Sequence, residues 1–226
     1  MELKALATDV DGTITSKGAG ISVEAIQAIR HLEDMGVPVI LASARPFPIL
    51  NILREYIGCT GAVVCENGGH VEHKGEARIL GDRGDGLRFL AALKEAHGGL
   101  AEEAWTNAYN IVDVALERTI LPVDIRKILE GYPSLKLLDS GFYYHVLPAT
   151  VDKGRGLQAA AEMMGIETRQ VVAIGDSQVD LELLEAAGHG VAVADADASD
   201  DLKAVADLVT EEPDGKGFSE AVMSLF

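Results

Sequence analysis

The stretch "LATDVDGTIT", residues 6–15, decides the fold. An apolar run from Leu3 stops there, Asp9 and Asp11 follow two residues apart, and Gly12 then lets the chain turn sharply. "LKALAT", residues 3–8, reads as a buried strand. Side chains two apart on a strand point the same way, about 6.6 Å apart, so the two carboxylates could flank a small group. By itself the stretch reads equally well as a turn rich in Asp and Gly. An EF-hand loop does not fit, because the places that need Gly and Glu, counted from Asp9, hold Ile14 and Gly20.

Outward from this point the first eighty residues alternate between strand and helix patterns, which implies a parallel sheet with helices on its faces. "ISVEAIQAIRHLEDMG", residues 21–36, opens on Ser22 as N-cap, carries Ile26, Ile29, Leu32 and Met35 at helical spacing, and stops at Gly36. The strand "VPVILAS" follows, then a helix in "PFPILNILREYIG" between a starting proline and Gly58, then the strand "GAVVCE". Beyond "ENGG" the rhythm changes. "HVEHKGEARIL" reads as a hairpin, a helix is expected from about Gly86 to Ala96, and "EAWTNAYNIVDVAL" looks strand-like.

The alternation resumes at Val151 with the helix "KGRGLQAAAEMMG", the strand "QVVAIG", the helix "VDLELLEAAG" and the strand "GVAVA". The expected fold class is therefore α/β: a doubly wound, Rossmann-like parallel sheet core, residues 1–81 and 151–226, with a smaller α+β cap domain, residues 82–150, inserted in it. No internal repeat is visible.

The chain has 226 residues, of which 48% are hydrophobic, ample for a sizeable core. No apolar run approaches the roughly 18 residues of a membrane helix, and the start lacks the basic residues of a signal peptide. A cytoplasmic location without membrane association is expected. A net charge of −17 argues against nucleic-acid binding. The two cysteines, Cys59 and Cys65, lie in apolar surroundings and read as buried, reduced thiols.

In open α/β sheets ligands sit beyond the carboxyl ends of the strands, and three expected strands end in polar residues: Asp9, Ser43 and Asp176. "GDSQVD", residues 175–180, adds Asp180 four residues after Asp176, which puts both on one helical face if the helix starts near Ser177. Alone this is also what an acidic first helical turn looks like. With Asp9 and Asp11, however, four converging carboxylates would repel one another without a cation, and hard oxygen donors suit Mg²⁺. Lys153 opens the resumed helical pattern, where it could hold an anion or stand in solvent. Ser43 could donate its hydroxyl to a phosphate oxygen or simply end a strand.

The four pieces "DVDGT", "ASAR", "DKG" and "GDSQVD", in this order, resemble the four signature motifs of the haloacid dehalogenase superfamily of phosphatases, over nearly the whole chain. The insert after "ENGG" and the closing "LKAVADLVT" are similar to the Cof-type subfamily, and the small cap is most similar to its archaeal phosphoglycolate phosphatases. The resemblance implies hydrolysis of a small phosphate monoester, 2-phosphoglycolate foremost, with Mg²⁺. It makes Asp9 the nucleophile and a metal ligand, and Asp11 the general acid/base, bound to the metal through its main-chain carbonyl. Asp176 and Asp180 would complete the metal site, and Ser43, Asn67 and Lys153 would hold the substrate.

The implied partner is a small phosphorylated metabolite, and a homodimer is compatible with the reading. Two departures from the family pattern are Val179, where asparagine usually stands, and Asp197, where the subfamily commonly has asparagine. Arg118, Arg126, Lys136 and His145 could each bind a substrate carboxylate but read equally as surface or packed polar residues. Arg45, close to Ser43, is a better candidate for the substrate. A broader sugar-phosphate phosphatase, a mutase, a non-catalytic phospho-acceptor module and an inactive structural relative are the rival readings. A phospho-acceptor module would gain nothing from Asp11, a base that hastens loss of its phosphate.

Overall fold

The computed structural model describes residues 3–16, 20–194 and 199–226. The first part of the chain runs β1 (Ala5–Thr8), α1 (Val23–Asp34), β2 (Val39–Ala42), α2 (Phe47–Ile57), β3 (Val63–Cys65), β4 (His70–His73) and β5 (Glu76–Ile79). A second unit follows with α3 (Gly84–His97), β6 (Val114–Leu116), α4 (Pro122–Leu129), β7 (Leu135–Asp139) and β8 (Tyr144–Pro148). The chain then returns through α5 (Lys153–Met164), β9 (Val171–Gly175), α6 (Leu181–Ala186), β10 (His189–Ala192), α7 (Asp200–Val205), β11 (Leu208–Val209) and α8 (Asp214–Leu225).

Among the described residues the eight-stranded sheet has the order β11-β10-β9-β1-β2-β3-β4-β5. It is parallel from β11 through β3, and the β4–β5 hairpin adds two antiparallel strands at one edge. The hairpin turns at Lys74 and Gly75, both at positive φ, as a two-residue turn of this hand requires. β6, β8 and β7 form a separate antiparallel sheet of three.

The central strands are apolar throughout because both faces are covered. Leu6, Val39, Leu41, Val172 and Ile174 point into one cluster with Ile29 and Leu32 of α1, Leu50 of α2 and Phe218 of α8. Their neighbours Ala5, Ala7, Ile40, Ala42, Val171 and Ala173 point the other way, onto Leu157 of α5, Leu183 of α6 and Leu202 of α7. Each fully buried Leu or Ile contributes about 1.5–3 kcal/mol of transfer free energy, so one slip of register would forfeit a whole face. The small sheet carries its own cluster around Phe89, Leu93, Ile125 and Val146.

Three expectations shift in detail. On α1 the buried face is Ala25, Ala28, Ile29 and Leu32, while Met35 is exposed as the helix unwinds at Gly36. Only Val114–Leu116 of the strand-like 103–116 is a strand; Trp105–Ala108 is a 3₁₀ turn. The cause is Asn107, whose side chain accepts from the Ala115 N–H at 2.8 Å and donates to the Ala115 carbonyl at 2.9 Å, doing the work of a missing strand partner. The helix expected from about Ser177 begins as a 3₁₀ turn, Gln178–Asp180, before α6. Cys59 and Cys65 are both buried and unpaired. Asp197 lies outside the described residues.

Candidate active site

β1, β2 and β9 are neighbours in the sheet, so their carboxyl ends bring Asp9, Ser43 and Asp176 together. Asp9 is buried, and its N–H continues the ladder to the Ile174 carbonyl at 2.9 Å. Gly12 has φ of +103°, and a Cβ there would stand 2.4 Å from Asp176 Oδ2, so the turn after Asp11 tolerates glycine only.

Lys153 is the first residue of α5, which Asp152 caps by accepting from the Arg155 N–H at 2.7 Å. The lysine is buried, and its ammonium donates to Asp9 Oδ1 and to Asp180 Oδ1, each at 2.6 Å. Burial alone would lower its pKa, but the Asp180 and Asp9 carboxylates outweigh that and hold it above its ordinary value. Asp180 Oδ2 turns back to accept from the Asp176 and Ser177 N–H groups and the Ser177 hydroxyl, all at 3.2 Å. These donors orient the carboxylate where Val179, which lines the cavity, cannot. The Thr13 hydroxyl donates to Asp176 Oδ1 at 2.8 Å.

Carboxylate oxygens of Asp9, Asp176 and Asp180 lie within 4.8 Å of one another. Burial, followed by Lys153 pulling the other way and the charges of Asp180, Asp176 and Asp11 adding to it, leaves the Asp9 carboxyl well above the usual carboxylate range. Three buried carboxylates against one ammonium leave negative charge to be balanced, and the donors are all hard oxygens; the set fits a divalent cation such as Mg²⁺.

Asp11 stands outside that cluster. Arg45 grips it, Nε donating to Oδ2 at 2.8 Å and Nη2 to Oδ1 at 2.6 Å. Ser43, buried, accepts from the Arg45 N–H at 3.2 Å. Asn67 is buried beside Ser43, whose carbonyl accepts the Asn67 N–H at 3.1 Å, and its side-chain amide makes no hydrogen bond among the described residues. It does not line the cavity above Asp9.

That cavity runs from Asp9, Asp11, Ser43, Arg45 and Lys153 to residues of the second unit, Thr106, Ser140, Phe142, Tyr143 and His145. Of the four cationic or imidazole candidates in that unit only His145 lines it. Arg118 is spent on an ion pair with Asp139 and a stack on Tyr144. Arg83 and Asp85 are likewise used internally, Arg83 donating to the Asn107 and Asn110 carbonyls and Asp85 pairing with Arg88 and accepting from Ser134.

Two groups carried no signal in the sequence. Glu66 is fully buried and accepts from the N–H groups of Ile111, Val112 and Asp113 at 2.8–3.0 Å, tying the core to the second unit. Asp113, also fully buried, meets His145 Nδ1 through Oδ2 at 2.5 Å. A Glu next to "NGG" and an Asp in an apolar run have many uses, and only spatial convergence distinguishes these.

A doubly wound sheet whose strand ends gather buried aspartates around a lysine, under an inserted cap, defines the class of haloacid dehalogenase-fold hydrolases. The comparisons agree: the haloacid dehalogenase-like hydrolase family matches residues 6–83 and 104–222, and the chain belongs to that family. It is 38% identical over 224 residues to a phosphoglycolate phosphatase of Archaeoglobus fulgidus, covering 98% of this chain and 96% of that protein. It is likewise 38% identical over 220 residues to one of Methanothermobacter thermautotrophicus, covering 97% of each. A solved Thermoplasma acidophilum structure matches with a TM-score of 0.89 at 25% identity over 99% of this chain and 98% of that one. A subclass IIB sugar phosphatase matches in fold with a TM-score of 0.80 at 20% identity over 98% of each chain.

Proposed function

We propose that this protein hydrolyses 2-phosphoglycolate to glycolate and phosphate with Mg²⁺, through a phosphorylated Asp9. At the coarser level it is a phosphoric monoester hydrolase. The observation that carries the finer reading is Lys153, buried and bonded to both Asp9 and Asp180, at the floor of the cavity that Ser43 and Asp11 also line. The archaeal relatives named for this substrate support its choice.

Phosphate monoesters are among the slowest substrates to hydrolyse, so positioning and charge neutralisation carry most of the catalysis. Asp9, Asp176, Asp180 and the Asp11 carbonyl would hold Mg²⁺, which supplies positive charge against the phosphoryl oxygens. Lys153 and the Ser43 hydroxyl hold those oxygens, while Asn67, whose main-chain N–H donates to the Ser43 carbonyl, acts by fixing the Ser43 backbone. An Asp9 oxygen attacks phosphorus as the bond to the glycolate oxygen breaks, and Asp11 gives that oxygen its proton. Asp11 then takes a proton from water, which attacks phosphorus and frees Asp9.

Residues 82–150 act as the cap on a core of 1–81 and 151–226. With this reading go a cytoplasmic location and a small phosphorylated metabolite as partner. Among the described residues no helix is long and apolar enough to cross a membrane.

Phosphate release with Mg²⁺ across 2-phosphoglycolate, sugar phosphates and nucleotides tests the reading. The expected result is a clear preference for 2-phosphoglycolate, and a loss on the order of 10⁴-fold or more in Asp9→Asn. Equal rates across the panel would overturn the substrate, and near wild-type turnover in Asp9→Asn would overturn the nucleophile.

A further inference from the structure

We propose that His145, oriented by Asp113, is the cap residue that recognises the carboxylate end of the substrate, an inference that rests on the phosphoglycolate reading above. His145 is only 3% exposed, yet it lines the cavity whose floor is Asp9 and Lys153. Its ring is fixed from behind. Asp113 accepts at Nδ1, and an ionised carboxylate has only lone pairs to offer, so that nitrogen carries the hydrogen. Nε2 then faces Ser140 Oγ at 3.1 Å, at the cavity wall.

The Asp113 seat is itself held. Its main-chain N–H is one of three consecutive donors to Glu66, a core residue, so the carboxylate behind His145 is referenced to the core and not only to the cap. Glu66 is matched by those three N–H groups, whereas the Asp113 carboxylate has the imidazole as its side-chain partner, its second oxygen having none among the described residues. When an anion enters, the ring meets it through Nε2, donating a second proton taken up from solvent with the anion, while Asp113 keeps its bond to Nδ1.

The surroundings sharpen the discrimination. Phe142, Tyr143 and Val179 supply apolar surface, and Thr106, 6% exposed, adds a hydroxyl to the same wall. A carboxylate can accept from Nε2 and from Thr106, and from Ser140 once its hydroxyl turns from the Tyr143 carbonyl, to which it donates at 3.1 Å; a neutral ester end leaves part of that set unpaired, which is costly in a buried site. In this arrangement His145 touches the substrate and Asp113 is a positioning residue.

The test compares kcat/KM for 2-phosphoglycolate with that for 2-hydroxyethyl phosphate, the same skeleton with an alcohol in place of the carboxylate. In His145→Gln the preference for the carboxylate ester is expected to fall about 10- to 100-fold, chiefly through KM. Asp113→Asn should move it in the same direction and less far. Because the readout is a ratio measured on folded enzyme, partial loss of folded protein does not imitate it. Retention of the wild-type preference in both variants would overturn the inference and leave the phosphoglycolate reading intact. If the wild type favours another carboxylate ester, such as 2-phospholactate, and His145→Gln abolishes that preference, the phosphoglycolate reading falls and this one stands. A wild type that favours the neutral ester overturns both.

Discussion

Arg45 holds Asp11 by both carboxylate oxygens, Nε to Oδ2 at 2.8 Å and Nη2 to Oδ1 at 2.6 Å. The bond to Asp11, set against partial burial, raises the guanidinium above its ordinary pKa. A carboxylate gripped this way has no proton to give, so the acid role proposed for Asp11 requires Arg45 to release at least one oxygen when substrate is seated.

Asp11→Asn is expected to cost about 10²- to 10⁴-fold in turnover of an alkyl phosphate such as 2-phosphoglycolate. With p-nitrophenyl phosphate, whose leaving group needs no proton, the first step should be largely spared and a burst of nitrophenol should precede slow turnover. Rapid-mixing kinetics check this; equal losses on the two esters with no burst would remove Asp11 from proton transfer. Arg45→Met should cost less than Asp11→Asn on the alkyl ester, because the base remains and only its orientation is lost.

Thr13 donates to Asp176 Oδ1 at 2.8 Å and so orients a carboxylate of the acidic cluster from behind. Thr13→Val removes the donor at nearly constant volume. The expected outcome is a weakening of apparent Mg²⁺ affinity by about 10- to 100-fold, with activity recovered at high Mg²⁺. Titration of activity with Mg²⁺ after chelation measures it, and an unchanged midpoint would contradict the role.

Gly12 combines φ of +103° with an Asp176 oxygen 2.4 Å from where a Cβ would lie. Gly12→Ala should push Asp176 aside, cutting phosphate release at least tenfold, of the order seen when supporting groups of a metal site are disturbed. The apolar clusters stay as they are, so circular dichroism should find the fold kept. Wild-type turnover in Gly12→Ala would mean that Asp176 is not needed where it stands.

His70, packed against Phe47, has its pKa lowered from 6.5 by burial, with Glu72 acting weakly in the opposite sense. The unfolded chain therefore binds this proton more readily than the folded one, and stability rises with pH across the window just below 6.5. Denaturant unfolding between pH 5 and pH 7.5 should give a shallower pH dependence for His70→Gln than for wild type. An identical slope in the two would exclude His70 as a contributor.

Much of this was legible in the sequence because the core is built from local signals in chain order. Apolar β-type runs stop at Asp9, Ser43 and Asp176, and the helix after the first of them carries its cap at Ser22. Parallel winding then brings the strand ends together whatever the detail of the helices. Asp176 and Asp180 converge with Asp9 as the strand ends imply, and Lys153, which the residues alone left open and the four-motif resemblance placed with them, joins them. Even the expected strand at 103–116 gives way for a local reason, the Asn107 side chain taking the ladder bonds of Ala115.

What only the tertiary structure decided are relations between residues far apart in the chain and individually unremarkable. Arg45 bonds Asp11 across 34 positions, Glu66 reaches the backbone of 111–113, and Asp113 meets His145 across 32 positions. A hydrogen bond acts over about 3 Å and depends on angle, so no pattern of spacing announces it; packing must first bring the partners within reach. The sequence determined where the chemistry gathers, because strand ends and caps are local. The packing of the second unit on the core decided which side chains line the cavity, because that depends on contacts made only once both have folded.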